Sequence, residues 1–304
     1  MGMLKCMRRL NFAVAAVLSV ASPSDAQRVP GRDLLHYPLG TLAEAPALAL
    51  DSGDGFQNPA AIQLPSGARF RGTAIGLNTG SDRGVSAQLA SVAVALPGQF
   101  TVGLSTAHAS INAIGRTVGD PQPIGPDVAY NTFVVSLTGS RRTRRHLTSG
   151  VAVRYRSGQA DEVRGSTFGL DGGIVAERLF GYDVRLGVTS YLWSPGSEGS
   201  EDAAFSAALD AKVIGGDSTQ QARAGYGYTV ADGAAGGHYV FISGRLSRWI
   251  ARVGVARADA FGHHETTVRL GLGVRYARYT VGLSREESAG GFDPTYQVVL
   301  SGIF

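Results

Sequence analysis

The sequence predicts an all-β protein, a transmembrane antiparallel β-barrel of about fourteen strands, and three observations lead there. From Ala68 onward the chain is a procession of short runs in which bulky apolar residues alternate with small or charged ones. The small or charged side of these runs carries glycine, alanine, serine and arginine at strand centres, a composition suited to a crowded lumen. The connections tend to alternate between short and long, the arrangement of a barrel with tight periplasmic turns and larger outer loops. A soluble sandwich or barrel also alternates, but it buries its apolar side in its own core. Here Tyr155, Tyr276, Tyr279, Tyr296 and Phe304 sit on the apolar side near strand ends, where rings suit the boundary between hydrocarbon and headgroups.

Composition narrows the alternatives. There are 42 glycines but no three-residue repeat, which excludes collagen. No run after the N-terminus reaches the roughly eighteen apolar residues of a spanning helix. A spanning protein with this pattern must therefore be a closed sheet, whose backbone groups are all paired.

The N-terminus begins with Lys5, Arg8 and Arg9, continues apolar from Leu10 to Ala21, and then reads SPSDAQ. That three-part layout predicts a signal peptide over residues 1–26, cleaved after Ala26. Cys6 leaves with it, so neither disulfides nor thiol ligands are expected in the exported chain. Removing three basic residues and one acidic from a net charge of +4 leaves +2, with no nucleic-acid partner implied. Residues 27–65 are irregular, with apolar clusters broken by proline and glycine, and residues 66–304 carry the barrel pattern.

Strands are expected near 67–78, 84–96, 98–110, 128–138, 145–157, 165–177, 181–193, 202–213, 219–230, 237–248, 249–260, 265–276, 278–285 and 293–304. The first, RFRGTAIGL, shows no clean face. In VAVRYR, Val151, Val153 and Tyr155 oppose Arg154 and Arg156, and GLDGG places Asp171 in the next run. VRLGV sets Arg185 against its valines, and FSAALDAKV sets Asp210 and Lys212 against Phe205 and Leu209. Arg223 opposes Tyr226 and Tyr228; Arg252 falls in the run after Trp249. VRLGLGVRY is the clearest, with Val268, Leu270, Leu272, Val274 and Tyr276 against Arg269 and Arg275. The ten residues Arg154, Arg156, Asp171, Arg185, Asp210, Lys212, Arg223, Arg252, Arg269 and Arg275 are thus expected to face the lumen. An arginine or lysine facing lipid near the midplane would cost about 2–4 kcal/mol. Two aspartates are too few to neutralise this set, which predicts either a wet, mildly positive interior or a packed network of charges. The first-to-second, third-to-fourth, fifth-to-sixth, seventh-to-eighth, ninth-to-tenth and thirteenth-to-fourteenth connections are expected to be the long ones.

No enzyme motif and no cofactor site emerges. His263 and His264, next to Glu265, are read as a solvated loop rather than a metal site. The cluster Arg141, Arg142, Arg144 and Arg145 is expected in the turn between strands four and five, solvated or docked on acidic surfaces or lipid phosphates.

The ending TYQVVLSGIF, with Tyr296, Val298, Leu300 and Phe304 on one face, resembles the C-terminal signal read by the assembly machinery of outer-membrane barrels. The stretch GDGFQNPAAI, with Asn58, Pro59 and Ala60 ahead of the first strand, is similar to the Asn-Pro-Ala segment of a barrel superfamily. That superfamily includes the long-chain fatty-acid transporters and barrels associated with type IX secretion. The resemblance implies that residues 27–65 fold into the barrel mouth as a plug, with Asn58 and Pro59 shaping its passage into strand one. It implies an outer-membrane location in a Gram-negative-type bacterium, among outer-membrane lipids. The function it implies is passage of a small or hydrophobic solute. The alternative is a non-transporting barrel that anchors or hands over a secreted protein.

Overall fold

The structure is a computed structural model and describes residues 29–36, 44–49, 55–80, 84–115, 127–144, 146–195, 201–215, 219–230, 237–260, 263–288 and 294–304. The proposed signal peptide and Arg145 lie outside them. Fourteen strands follow one another: β1 (Phe70–Thr79), β2 (Val85–Leu96), β3 (Phe100–Ile114), β4 (Val128–Arg144), β5 (Leu147–Ala160), β6 (Val163–Glu177), β7 (Val184–Trp193), β8 (Ala204–Ile214), β9 (Gln220–Val230), β10 (Gly237–Leu246), β11 (Trp249–Ala260), β12 (His263–Tyr276), β13 (Tyr279–Ser288) and β14 (Thr295–Ile303). Each pairs antiparallel with the next, and β14 returns to β1, from Arg71 opposite Ile303 to Thr79 opposite Thr295. The sheet is a closed barrel with no free edge.

Closure divides every strand into an inner and an outer face. In β5 the outer residues Val151, Val153 and Tyr155 are exposed while the alternating Ala152, Arg154 and Arg156 are buried. Leu272 on β12 and Val151 on β5 are 67% and 66% exposed, extreme for aliphatic side chains of a folded protein. These residues belong to a continuous apolar band around the outside of the ring, whereas the inner face holds most of the buried charge.

β1 has a regular face that its sequence conceals. Arg71, Thr73, Ile75 and Leu77 turn inward and are buried; Phe70, Ala74 and Gly76 turn outward. The apolar residues lie inside because an internal apolar cluster meets this strand, which inverts the usual code.

Three expectations about strand ends are corrected. The β5–β6 connection is not long: Asp161 and Glu162 alone join the strands, with Asp161 at φ 54°, a left-handed conformation that aspartate tolerates. Gln159 and Arg164 looked like loop residues because both strands continue past the apolar band, where polar side chains meet water. For the same reason β4 runs on to Arg144, so Arg141, Arg142 and Arg144 belong to a strand and not to a turn. Arg141 stacks its guanidinium 4.8 Å from the ring of Phe100 across the β3–β4 pair. His263 and His264 open β12 in register with Ala260 and Asp259, again in strand rather than loop.

The described parts of residues 29–64 run inside the ring. Short 3-10 turns form at Asp33–His36, Pro46–Leu48 and Pro59–Ile62. Pro59–Ile62 packs on β4, β5 and β6, and Pro46–Leu48 on β7 and β8. Two inward glycines admit this backbone: a Cβ at Gly158 would overlap the carbonyl of Pro30, and one at Gly150 would stand 2.6 Å from the amide nitrogen of Ala60.

Leu272→Arg on the outer face is expected to lower folding stability in phospholipid bilayers by about 2–4 kcal/mol. Ser284→Arg, opposite Gly271 on the inner face, is expected to cost much less. Denaturant unfolding in lipid vesicles measures both, and equal losses would contradict the lipid-facing assignment.

Candidate functional site

Among the described residues, the buried charged side chains gather in the lumen, away from the apolar outer face. The lumen's contents follow a rule: a buried guanidinium meets a carboxylate or a carbonyl. Arg154 is 2% exposed and donates to Asp171 on β6 and to the carbonyl of Phe56; its guanidinium lies 4.5 Å from the Phe56 ring centre. Asp171 also accepts the Leu192 amide at 2.7 Å. Arg156 pairs with Glu201 and donates to the carbonyls of Pro30 at 2.8 Å and Val29 at 3.1 Å. Arg32 lies 3.7 Å from the same Glu201. Arg252 meets Glu44 at 2.9 Å, and Arg269 pairs with Glu286 while lying over the Tyr239 ring.

A second network spans β7, β8 and β9 at the end of the barrel that carries the short turns. Asp210 receives Arg185 through Nε at 3.0 Å and Arg223 through Nε at 3.0 Å. Arg223 continues to Asp183 at 2.7 Å, and Lys212 reaches the same carboxylate at 2.8 Å. Asp183 sits outside the strands, in the β6–β7 connection. Hydrogen bonds from Lys212 and then Arg223 hold its pKa down at about 2.

Of the ten residues expected in the lumen, nine therefore enter these pairs. Arg275 does not; it stands half-buried on the wall of a cavity of about 240 Å³ beneath Ala60–Pro65. Sequence reasoning missed the acids that complete the pairs. Glu44 and Glu201 lie in irregular segments, Asp183 in a turn and Glu286 beyond the expected end of a strand, so no period marks them.

Asn58, Pro59 and Ala60 are buried. Asn58 caps the Pro59–Ile62 turn, its Oδ1 accepting the Ala60 amide at 3.0 Å while its Nδ2 donates to the Ala47 carbonyl at 2.8 Å. It thus ties two turns of the N-terminal segment together. Beside it lies the principal apolar cluster: Leu34, Leu35 and Phe56 from that segment meet Ile75, Leu77 and Leu89 from β1 and β2. A smaller cluster joins Ala45 and Leu48 to Tyr239 and Phe241 of β10. At the C-terminus Tyr296, Val298, Leu300 and Phe304 are exposed on the outer face. The Phe304 ring packs 6.0 Å from Phe70 and edge-on 5.8 Å from Tyr279.

No sequence-family description matches this chain, and no curated protein matches it in sequence. In three dimensions it is similar to solved barrels. One is described as the CymD monoaromatic hydrocarbon channel, at 10% identity over 88% of this chain and 97% of that one, with a TM-score of 0.60. Another is a TodX monoaromatic hydrocarbon channel deltaS2 mutant, at 12% identity over 89% and 99%, with a TM-score of 0.57. A further TodX mutant, deltaS2S3, aligns at 11% identity over 81% and 92%, with a TM-score of 0.51. At these identities the likeness is one of fold: a closed antiparallel barrel of the same overall build.

The Asp183 pair gives a pH signature. Its pKa is depressed below the unfolded value of about 4, so its stabilisation is present above about pH 4 and lost as the pH falls towards 2. Unfolding midpoints measured from pH 6 to pH 2 should fall more steeply for the unaltered protein than for Asp183→Asn, and parallel curves would count against the assignment.

Proposed function

We propose that this chain is an outer-membrane barrel that passes a small or hydrophobic solute into a Gram-negative-type cell, with residues 27–65 acting as a plug. The carrying observation is the apolar cluster inside the ring. Apolar side chains on the inner face of β1 and β2 are wasted in a water-filled pore, yet here they meet Leu34, Leu35 and Phe56 of the non-sheet part of the chain. A solute that displaces part of those contacts finds an apolar surface already built. The likeness to barrels described as monoaromatic hydrocarbon channels supports a solute of that character. The apolar outer band supports outer-membrane lipids as surroundings, and the N-terminal layout supports export by a signal peptide ending at Ala26. The Asn58–Pro59–Ala60 turn supports kinship with the fatty-acid-transporter superfamily, and Tyr296, Val298, Leu300 and Phe304 support handling by the barrel assembly machinery. In this reading the protein is a conduit and not an enzyme, and it uses no cofactor.

A second reading, a non-transporting barrel that anchors or hands over a secreted protein, draws on how tightly the N-terminal segment is fitted. At Gly150 and Gly158 the segment's backbone lies directly against the wall, with no room even for a Cβ. Uptake decides between the two. Cells lacking other porins and expressing this chain should accumulate labelled toluene several-fold faster than cells with an empty vector, with Leu77→Asp slowing it. Equal rates in the expressing and empty cells would overturn the transport reading.

A further inference from the structure

The rim that carries the short turns holds arginines on the outside of the barrel as well as within. Arg69, Arg141, Arg248 and Arg278 are exposed there, and among the described residues no carboxylate lies within ion-pairing distance of any of them. Backbone hydrogen bonds place the four along one arc. The Arg248 carbonyl accepts the Arg275 amide of β12 at 2.8 Å, and the Arg278 carbonyl accepts the Ile303 amide of β14 at 2.9 Å. The Arg69 amide donates to the Phe304 carbonyl at 2.7 Å, while the Arg69 carbonyl accepts the Ala95 amide of β2 at 2.9 Å. Arg141 follows on β4, opposite Phe100 of β3. Neighbours along the arc thus stand two or three strand spacings, roughly 10–15 Å, apart, too far to share one small anion and suited to a row of them.

Two of these guanidinium groups are held at the level of exposed outer rings. Arg141 lies 4.8 Å from the ring centre of Phe100, and Arg248 lies 6.0 Å from that of Trp249. A guanidinium laid over a ring keeps its in-plane N–H groups free to donate outward. The exposed charge is also unevenly placed. Asp127, Glu162, Asp202 and Glu287 stand exposed at the opposite end, where Arg285 pairs with Glu287. Asp183 is the exposed carboxylate described at the short-turn end, and Lys212 and Arg223 already hold it.

We propose that this arc is a docking surface for anionic phospholipids, each arginine meeting a headgroup phosphate while the rings beside it lie against the upper acyl chains. It rests on the reading above that lipid surrounds the outer face, and adds to it a preference for headgroup charge at one end of the barrel. Guanidinium groups take phosphate oxygens through paired, charge-assisted hydrogen bonds, and basic side chains at a bilayer surface draw in anionic lipid. Rings at the edge of an apolar band mark the depth at which headgroups begin. An acidic protein would meet these arginines only after displacing those headgroups.

The chain's two tryptophans make the test. Trp249 is exposed at the short-turn rim and Trp193 on the outer face towards the other end. The full barrel carrying Trp193→Phe is refolded into phosphatidylcholine vesicles containing phosphatidylglycerol, one lipid or the other brominated on its acyl chains, and quenching of Trp249 reads the lipid beside it. Phosphatidylglycerol is expected to outcompete phosphatidylcholine at least threefold at this position. Arg248→Gln/Arg278→Gln should abolish the preference, whereas Arg248→Lys/Arg278→Lys should keep most of it. At about 1 M salt, where charges are screened beyond about 3 Å, the preference of the unaltered arginines should also vanish, a readout that needs no variant to fold. With Trp249→Phe instead, Trp193 should report no preference. Equal quenching by the two lipids at Trp249, a preference that survives both the glutamine variant and salt, or the same preference at Trp193 would each overturn the docking surface. Those results leave the lipid-facing reading standing, because brominated phosphatidylcholine still quenches. Absence of quenching by either lipid overturns that reading and this one with it.

Discussion

The pairing of β1 with β14 is the contact on which the rest of this molecule depends. A sheet in hydrocarbon has no water to satisfy a free edge, so it must close or not form. Here the seam runs the length of β1, and its lower end is fastened by the last residue: the Phe304 carbonyl accepts amides from Arg69 at 2.7 Å and Phe70 at 3.0 Å, and the Phe304 amide donates to the Phe70 carbonyl at 2.8 Å. Rings from Phe70, Tyr279 and Phe304 cover that junction from outside. Once the ring is shut, each side chain has only two destinations. The exposure of Leu272 and the burial of Arg154 are two consequences of one closure.

Closure also creates a difficulty that the strands do not solve alone. Six arginines on the inner faces of β5, β7, β9, β11 and β12 (Arg154, Arg156, Arg185, Arg223, Arg252 and Arg269) need anionic partners, and an unpaired buried charge is costly. Asp171, Asp210 and Glu286 on neighbouring strands supply part of what is needed, and the irregular parts of the chain supply the rest. Glu44 and the carbonyls of Val29, Pro30 and Phe56 come from the N-terminal segment, Glu201 and Asp183 from connections. The segment inside the ring is therefore an electrostatic component of the barrel wall as much as an obstacle in its lumen.

This explains what could be read from the sequence and what could not. β5 and β12 were legible because an exposed apolar face on one side and a charged lumen on the other enforce a strict alternation, visible in VAVRYR and VRLGLGVRY. β1 was not, since its inner face meets an apolar cluster and its outer face is mostly small, so neither side has the expected chemistry. The β5–β6 hairpin was misread because strands that rise beyond the apolar band lose the alternation that defines them. The lumen's arginines stood out by their placement within each strand. Their acids did not, because Glu44 and Glu201 reach the lumen only through tertiary folding of segments without a period. Gly150 and Gly158 looked like ordinary strand glycines; their role is set by a backbone more than eighty residues away in sequence.

The same ion pairs constrain how anything could move through the ring. Withdrawing the whole N-terminal segment would strip Arg252 of Glu44, Arg154 of the Phe56 carbonyl, and Arg156 of two carbonyls at once. Leaving Arg252 without Glu44 costs about 3–5 kcal/mol, and Arg154 and Arg156, which keep Asp171 and Glu201, each lose carbonyl hydrogen bonds besides, so wholesale ejection is opposed several times over. The apolar contacts of Leu34, Leu35 and Phe56 carry no such penalty, since a hydrophobic solute replaces them in kind. Under the proposed transport, the geometry favours local exchange, an apolar body substituting for apolar side chains while the charged ties hold, over removal of the segment. In the transport proposed above, a polar solute of similar size would lack that exchange and meet the ion pairs directly, so the distribution of charge, more than the width of the ring, would set selection.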